Sequence, residues 1–241
     1  LGVFGIALGT VILPRLSADH AAASPAGFNA TLDWALRLAL VIILPATVGL
    51  VVLAGPLLAT LFGYGAFGAA DVQAASWSLM AYGLGLFGFV LVKVLVPGYF
   101  SRQDTRGPVR CAVIAMLVNM VLSVSLVWLM IDTGVAHAGL ALATGLAAWV
   151  NAGLLYRGLR RAGVYRPLAG WRWLGTRVLA AALVLGLVLQ WPARQQALWL
   201  EADVVGRVTA LAGVIAIGMG VYFLTLWLLG VRPAQLREPR A

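Results

Sequence analysis

The sequence predicts an all-α, polytopic membrane helical bundle, and three observations carry that prediction. First, 62% of its 241 residues are hydrophobic and only 10% are charged. A soluble domain carries roughly a quarter charged residues, because its surface must face water. Second, the apolar residues are gathered into long continuous runs, and a spanning helix needs about 20 mostly apolar residues. Third, the arginines are confined to alternate connections between those runs. The runs lack the polar alternation of a membrane β-barrel, which sets the strand alternative aside.

Taken in order, the predicted spans are 1–13, 34–62, 72–100, 108–131, 135–159, 174–191 and 208–229. The first is short for a crossing. The chain opens on Leu1 with an apolar run already under way and no basic leader before it, so a cut within a longer protein is expected. Pro45 falls inside the second span and is expected to kink it. Gly5 and Gly9 form a G-x-x-x-G, which lets helices approach closely. Gly83, Gly85 and Gly88 spell G-x-G-x-x-G, a dinucleotide fingerprint only when it joins a strand to a helix. Here it lies inside an apolar run of span length and is read as helix packing.

Orientation follows from the connections. The first, third and fifth, together with the tail, hold fourteen of the seventeen lysines and arginines. The second and fourth hold none, and the sixth holds Arg194 and Arg207 only. Asp71, Asp132, Glu201 and Asp203 lie in these three. Because arginine near the membrane marks the cytoplasmic side, the C-terminus is expected in the cytoplasm of a multi-pass protein. The net charge of +9 is therefore a topology signal, and no nucleic-acid partner is expected. Trp171, Trp173, Trp191 and Trp199 sit at predicted edges, where amphipathic rings favour the headgroup layer. The stretch Arg166 to Arg177 is expected to lie along the inner surface before entering the membrane.

Few residues could carry chemistry. Lys93 is the one ionisable residue placed well inside a predicted span, and a charge there costs at least about 2.5–3.5 kcal/mol. Either its ammonium snorkels to headgroups roughly 10 Å away, or it faces a watery cavity that receives an anion. No carboxylate is expected deep in any span. His20 and His137 are read as loop and edge residues without metal-ligand spacing, and Cys111 as a small buried hydrophobe. No metal, cofactor or catalytic constellation is predicted, so an enzyme reading has no support.

The stretch Lys93 to Val109, KVLVPGYFSRQDTRGPV, is the most distinctive. It resembles the signature of the MurJ/MviN family of lipid II flippases, in which a tenth span ends in a K-V-L-A-P-x-F-Y-x-R-Q-D-T-x-T-P-V-like run. The opening LGVFGIALGTVILPRLS resembles that family's eighth span, LDWALRLALVIILPATVGL its ninth and GLAAWVNAGLLYRGLRR its twelfth. Lys93, Pro97, Tyr99, Phe100, Arg102, Gln103, Asp104 and Pro108 match the signature. The departures are Tyr99-Phe100, where the family often has phenylalanine then tyrosine, and Gly107, where threonine is usual and where glycine is expected to loosen the turn.

The resemblance implies the C-terminal lobe of a fourteen-span transporter of the multidrug/oligosaccharidyl-lipid/polysaccharide exporter superfamily. Two such lobes enclose a cavity that alternates between inward- and outward-open states. The implied substrate is lipid II, undecaprenyl-diphosphate-linked muropeptide, moved from inner to outer leaflet of the bacterial cytoplasmic membrane. Membrane lipids and cell-wall synthesis proteins are the other implied partners. The last two spans, about Leu174 to Leu229, are implied to form a groove for the lipid tail. Lys93 becomes the candidate for the substrate cavity, and Arg102 and Asp104 a pair that organises the inner loop. The eleventh-span equivalent offers Asn119 and Ser123 without a carboxylate, so no strong cation site is expected. Competing readings are another exporter of the superfamily, a membrane-embedded cell-wall transferase and a non-transporting assembly partner.

Overall fold

The computed structural model describes residues 2–195 and 199–232, with side chains from Gly5 onward. Leu1 and the tail arginines Arg237 and Arg240 lie outside the described residues. The chain forms α1 (Gly2–Ala21), α2 (Pro25–Val52), α3 (Ala54–Phe62), α4 (Ala69–Leu95) and α5 (Pro97–Phe100). Then come α6 (Arg106–Met130), a 3-10 turn (Ile131–Thr133), α7 (Ala136–Arg161), α8 (Trp171–Ala193) and α9 (Val204–Leu228). Six segments are long and apolar enough to cross a bilayer, namely α2, α4 with α5, α6 with its turn, α7, α8 and α9. Each overlaps one of the last six predicted spans, with shifted bounds.

The boundaries differ where packing overrides local signals. Helix α1 continues past the predicted end at Leu13, through Pro14, to Ala21. Leu8, Ile12 and Leu16 are buried at four-residue spacing, and that stripe holds the helix against its neighbours beyond the proline. His20 consequently sits in the last turn of α1 instead of in a loop. Helix α2 begins nine residues before the predicted start, with Pro25 in its first turn and the Ser24 hydroxyl accepting the Gly27 N–H at 3.3 Å. Asp33 therefore lies within a spanning helix, against the expectation that no carboxylate would. Trp171 opens α8 directly, so the segment expected along the inner surface divides into a loop and the first turns of a span.

The prolines act differently from the prediction. Helix α2 is uninterrupted at Pro45; the break comes at Leu53, three residues before Pro56, which has no N–H for the Val52 carbonyl. Pro45 likewise leaves the Val41 carbonyl without its helical donor, and the hydroxyl of Tyr222 on α9 donates to that oxygen at 2.7 Å. The proline thus creates an acceptor that ties α9 to α2, in a region where no water competes. Pro97 ends α4 at Leu95 and frees the carbonyl of Lys93. Gly9 of α1 lies against that oxygen, where an added Cβ would stand at 3.1 Å.

Small residues set the closest helix contacts, as the G-x-x-x-G reading predicts. A Cβ on Gly5 would stand 2.9 Å from the Lys93 Cδ. The G-x-G-x-x-G glycines divide between two neighbours. A Cβ on Gly83 would meet Val51 of α2 at 3.0 Å, and one on Gly88 the Trp149 nitrogen of α7 at 2.9 Å. Gly85 faces Gly145, whose own added Cβ would lie 3.1 Å from the Gly85 Cα. The α4–α7 pair, built on these glycines, is the most extensive helix contact in the bundle. One apolar core joins α1, α2, α4, α5 and α7, and a second joins α2 to the α8–α9 hairpin.

If the Pro45 carbonyl defect is what makes Tyr222 necessary, the two substitutions must couple. Tyr222→Phe is expected to cost about 0.6–1.7 kcal/mol, the range of hydrogen bonds within membranes. In a Pro45→Ala background, where the helix supplies the missing N–H, most of that cost should vanish. A double-mutant cycle on thermal unfolding in detergent measures the coupling; strict additivity would refute it.

Candidate functional site

The signature stretch folds into an elbow that binds three helices together. Pro97 opens α5 after a one-residue step at Val96. Buried Tyr99 then donates its hydroxyl to the Leu155 carbonyl of α7 at 2.7 Å. Gly158, one turn further along α7, leaves room for that hydroxyl, since a Cβ there would collide with it. Gln103 adopts a left-handed conformation, φ 59°, which reverses the chain toward α6. Asp104 accepts the Gly107 N–H at 2.8 Å and so caps the amino end of α6, with Pro108 buried in its first turn.

Two expectations change here. Asp104 is engaged with the backbone and forms no ion pair with Arg102, whose half-buried side chain lines a cavity of about 230 Å³ with Asp19 and His20. Gly107 does not loosen the turn. A Cβ on it would stand 3.0 Å from the Tyr99 ring and 2.8 Å from the Asp104 carboxylate, so glycine here lets the ring and the cap pack together.

Lys93 is half-buried in a groove of about 410 Å³ between α1 and the α4–α5 elbow, beside Gly5, Gly9, Thr10 and the exposed ring of Phe100. Its stem lies across Gly5. Among the described residues its ammonium has no ion pair or hydrogen bond. A separate apolar groove, also about 410 Å³, runs between α2, α3, α8 and α9. Leu185 and Leu189 of α8 line it with Gly218 and Tyr222 of α9, and Pro45 and Gly49 stand across on α2. This is the region the family resemblance assigned to a lipid tail. His137 sits in the first turn of α7, with its Nε2 2.8 Å from the Ala74 carbonyl oxygen.

Sequence reasoning missed two polar hubs. Asp33 is 1% exposed and collects four donors. Its Oδ2 takes the Arg37 Nε at 2.6 Å; its Oδ1 takes the Tyr165 hydroxyl at 2.8 Å, the Trp171 Nε1 at 2.7 Å and the Leu168 N–H at 3.1 Å. The Arg37 guanidinium also donates to the Leu168 and Ala169 carbonyls. The Asp33/Arg37 spacing of four residues at the head of an apolar run was the available signal. Burial raises the pKa of Tyr165 well above the ordinary tyrosine value, and its hydrogen bond to the Asp33 carboxylate raises it further.

At the opposite end, buried Arg207 donates to the carbonyls of Ala59 and Gly63 at the close of α3, and to those of Leu200 and Ala202. A guanidinium suits a helix C-terminus, where carbonyls lack partners. Arg177 does the same for α9 through the Leu229 carbonyl, while its guanidinium lies 3.8 Å from the Trp173 ring centroid. These contacts gather the arginine-rich connections at one end of the bundle and the acidic ones at the other.

Comparison with known proteins places this arrangement. The family model described as "Lipid II flippase MurJ" matches residues 1–210. The chain is 44% identical over 237 residues to the "Probable lipid II flippase MurJ" of Vibrio cholerae serotype O1, covering 98% of this chain and 44% of that protein. It is 40% identical over 242 residues to the "Probable lipid II flippase MurJ" of Haemophilus influenzae, covering 98% and 46%. It is 36% identical over 238 residues to the "Lipid II flippase MurJ" of Burkholderia cenocepacia, covering 98% and 45%. The chain thus spans less than half the length of these relatives.

The Asp33 hub makes a pH-dependent prediction. The folded state holds the Tyr165 proton that the unfolded chain releases above about pH 10, so stability should be fully present below that pH and fall as pH rises through it. Tyr165→Phe should make that alkaline slope shallower by this tyrosine's share, whereas Asp33→Asn should cost about 3 kcal/mol or more near neutrality by leaving buried donors on a poor acceptor. Denaturation midpoints in detergent across pH 7–11 test both.

Proposed function

Because this chain belongs to the lipid II flippase MurJ family, a family of bacterial multi-pass membrane proteins, we propose that it forms one lobe of a transporter that carries lipid II, the undecaprenyl-diphosphate-linked muropeptide, from the inner to the outer leaflet. The observation that carries the reading is the pair of grooves on one scaffold. One is apolar and flanked by α8 and α9; the other presents Lys93 beside a broken helix.

The division suits the substrate. A prenyl tail costs nothing to keep in an apolar groove, while a diphosphate must be shielded from hydrocarbon by cations and water. Lys93 is held at the helix break by Gly5 and Gly9, and among the described residues its ammonium has no counter-charge, as suits a residue meeting an anion. The elbow that follows it links α4 through Tyr99 to α7 and through Asp104 to α6. Movement of α1 against α4 would therefore expose or cover Lys93 while the rest of the lobe moves as a unit. The loop charges support an orientation with the arginine-rich end and the C-terminus in the cytoplasm. An inside-negative potential favours outward passage of each negative charge by about 2.3 kcal/mol per 100 mV. Asp33 is the carboxylate buried within a span, and its four donors hold it in place, which supports a drive by potential over a proton relay in this lobe.

The test is rescue of a bacterium depleted of its lipid II flippase by the complete protein that carries this chain. The unaltered protein and Lys93→Arg are expected to restore growth, and an equally expressed Lys93→Ala to fail or to reduce rescue at least tenfold. Rescue by Lys93→Ala would return the lysine to a snorkelling role. Failure of a well-inserted unaltered protein would overturn the substrate assignment.

A further inference from the structure

A third cavity, of about 540 Å³, lies between α2, α4 and α7 and belongs to neither groove described above. Leu40, Phe87, Leu91, Trp149, Gly153 and Tyr156 line it, and the loop carrying Tyr165 crosses its arginine-rich end. Its geometry is that of a slot with a floor. The Phe87 and Trp149 rings, with centroids 5.4 Å apart, close the inner end, and the Trp149 Nε1 is tied to the Leu84 carbonyl at 2.9 Å. From Phe87 to Leu95 on α4 the slot spans eight residues, or about 12 Å at 1.5 Å per residue. One leaflet of hydrocarbon is about 15 Å deep, half of a core of about 30 Å. The slot therefore lies within the leaflet at the arginine-rich end.

The mouth is cationic. Arg160 is exposed; its Nη1 donates to the Tyr156 hydroxyl at 3.2 Å, and its guanidinium stands 5.9 Å from that ring's centroid. Arg157 and Arg161 are exposed beside it on the last turns of α7. From Arg157 to Arg177 the sequence holds six arginines and no acidic residue, while Asp33 beneath the loop is already fully engaged. Gly153 is exposed, and a Cβ on it would meet nothing within 4 Å, so the slot opens sideways along α7.

We propose that this slot binds one acyl chain of an anionic glycerophospholipid, with its phosphate beside Arg160. The apolar walls match a hydrocarbon chain and the depth matches one leaflet. Three neighbouring guanidinium groups favour a net negative headgroup over a zwitterionic one. The site is separate from the α8–α9 groove and from Lys93, so it stands whichever substrate those serve. A bound lipid would also brace α7 against α2, which touch across this gap mainly through the Tyr165 loop.

Native mass spectrometry of the complete protein that carries this chain tests the site. Dioleoyl phosphatidylglycerol and dioleoyl phosphatidylcholine are titrated separately into the detergent-solubilised protein. The unaltered protein should retain one phosphatidylglycerol at roughly fivefold lower concentration than phosphatidylcholine, the preference expected of a single well-placed arginine. Gly153→Leu, which fills the slot from α7, should lose that one lipid; Leu91→Phe fills it from α4 and guards against a folding defect in the first variant. Arg160→Gln should keep the tail but narrow the preference for phosphatidylglycerol by several-fold. Equal retention of both lipids by the unaltered protein would overturn the proposal. So would undiminished phosphatidylglycerol binding by slot-filling variants whose melting temperature is unchanged.

Discussion

Hydrocarbon offers no hydrogen bonds, so polar groups that the chain places below the headgroups are driven to partners inside the protein. Most of this structure can be read as the working out of that constraint. Pro45 removes a donor from α2, and Tyr222 arrives from α9 to replace it. Pro97 removes another from α4, and α1 packs its glycine against the exposed oxygen. Arg207 spends its guanidinium on four carbonyls around the end of α3, and Arg177 caps α9. Each repair joins elements distant in sequence, so local defects in single helices become the ties between them.

The Asp33 hub is the same logic applied to a charge. A buried carboxylate is costly unless paired and fully hydrogen-bonded, and here four donors from α2, the loop and α8 surround it. The result is a polar joint between the main core and the α8–α9 hairpin. That joint sets how far α8 stands from α2, and with it the width of the apolar groove between them. The α1–α4 contact, by comparison, is built on glycines packed around Lys93.

The mutual fit of glycines and large side chains also bears on the departures from the family signature. Gly107 stands where threonine is usual, and its missing Cβ is occupied by the Tyr99 ring, itself a departure one step earlier. The glycine and the ring meet in space. Neither could be judged from its own position, because the residues that meet are eight apart across a turn held by Gln103 and Asp104.

Amino-acid order by itself determined the class, the six later spans and the gathering of arginine on alternate connections, because insertion into a bilayer responds to the apolar length of each run and the charge beside it. It also identified the Lys93 to Pro108 segment and the glycines at helix contacts, since those depend on local pattern. Tertiary structure alone decided that α2 begins early enough to bury Asp33, that Pro45 leaves its helix unbroken, that Asp104 caps α6 instead of pairing with Arg102, and that Arg207 sits under α3. For three of these the deciding partner lies far away in the chain: Tyr165 of the α7–α8 loop for Asp33, Tyr222 for the Val41 carbonyl, Ala59 and Gly63 for Arg207. A hydrogen bond between residues more than a hundred positions apart leaves no periodicity to read, and only the packed bundle brings donor and acceptor within reach.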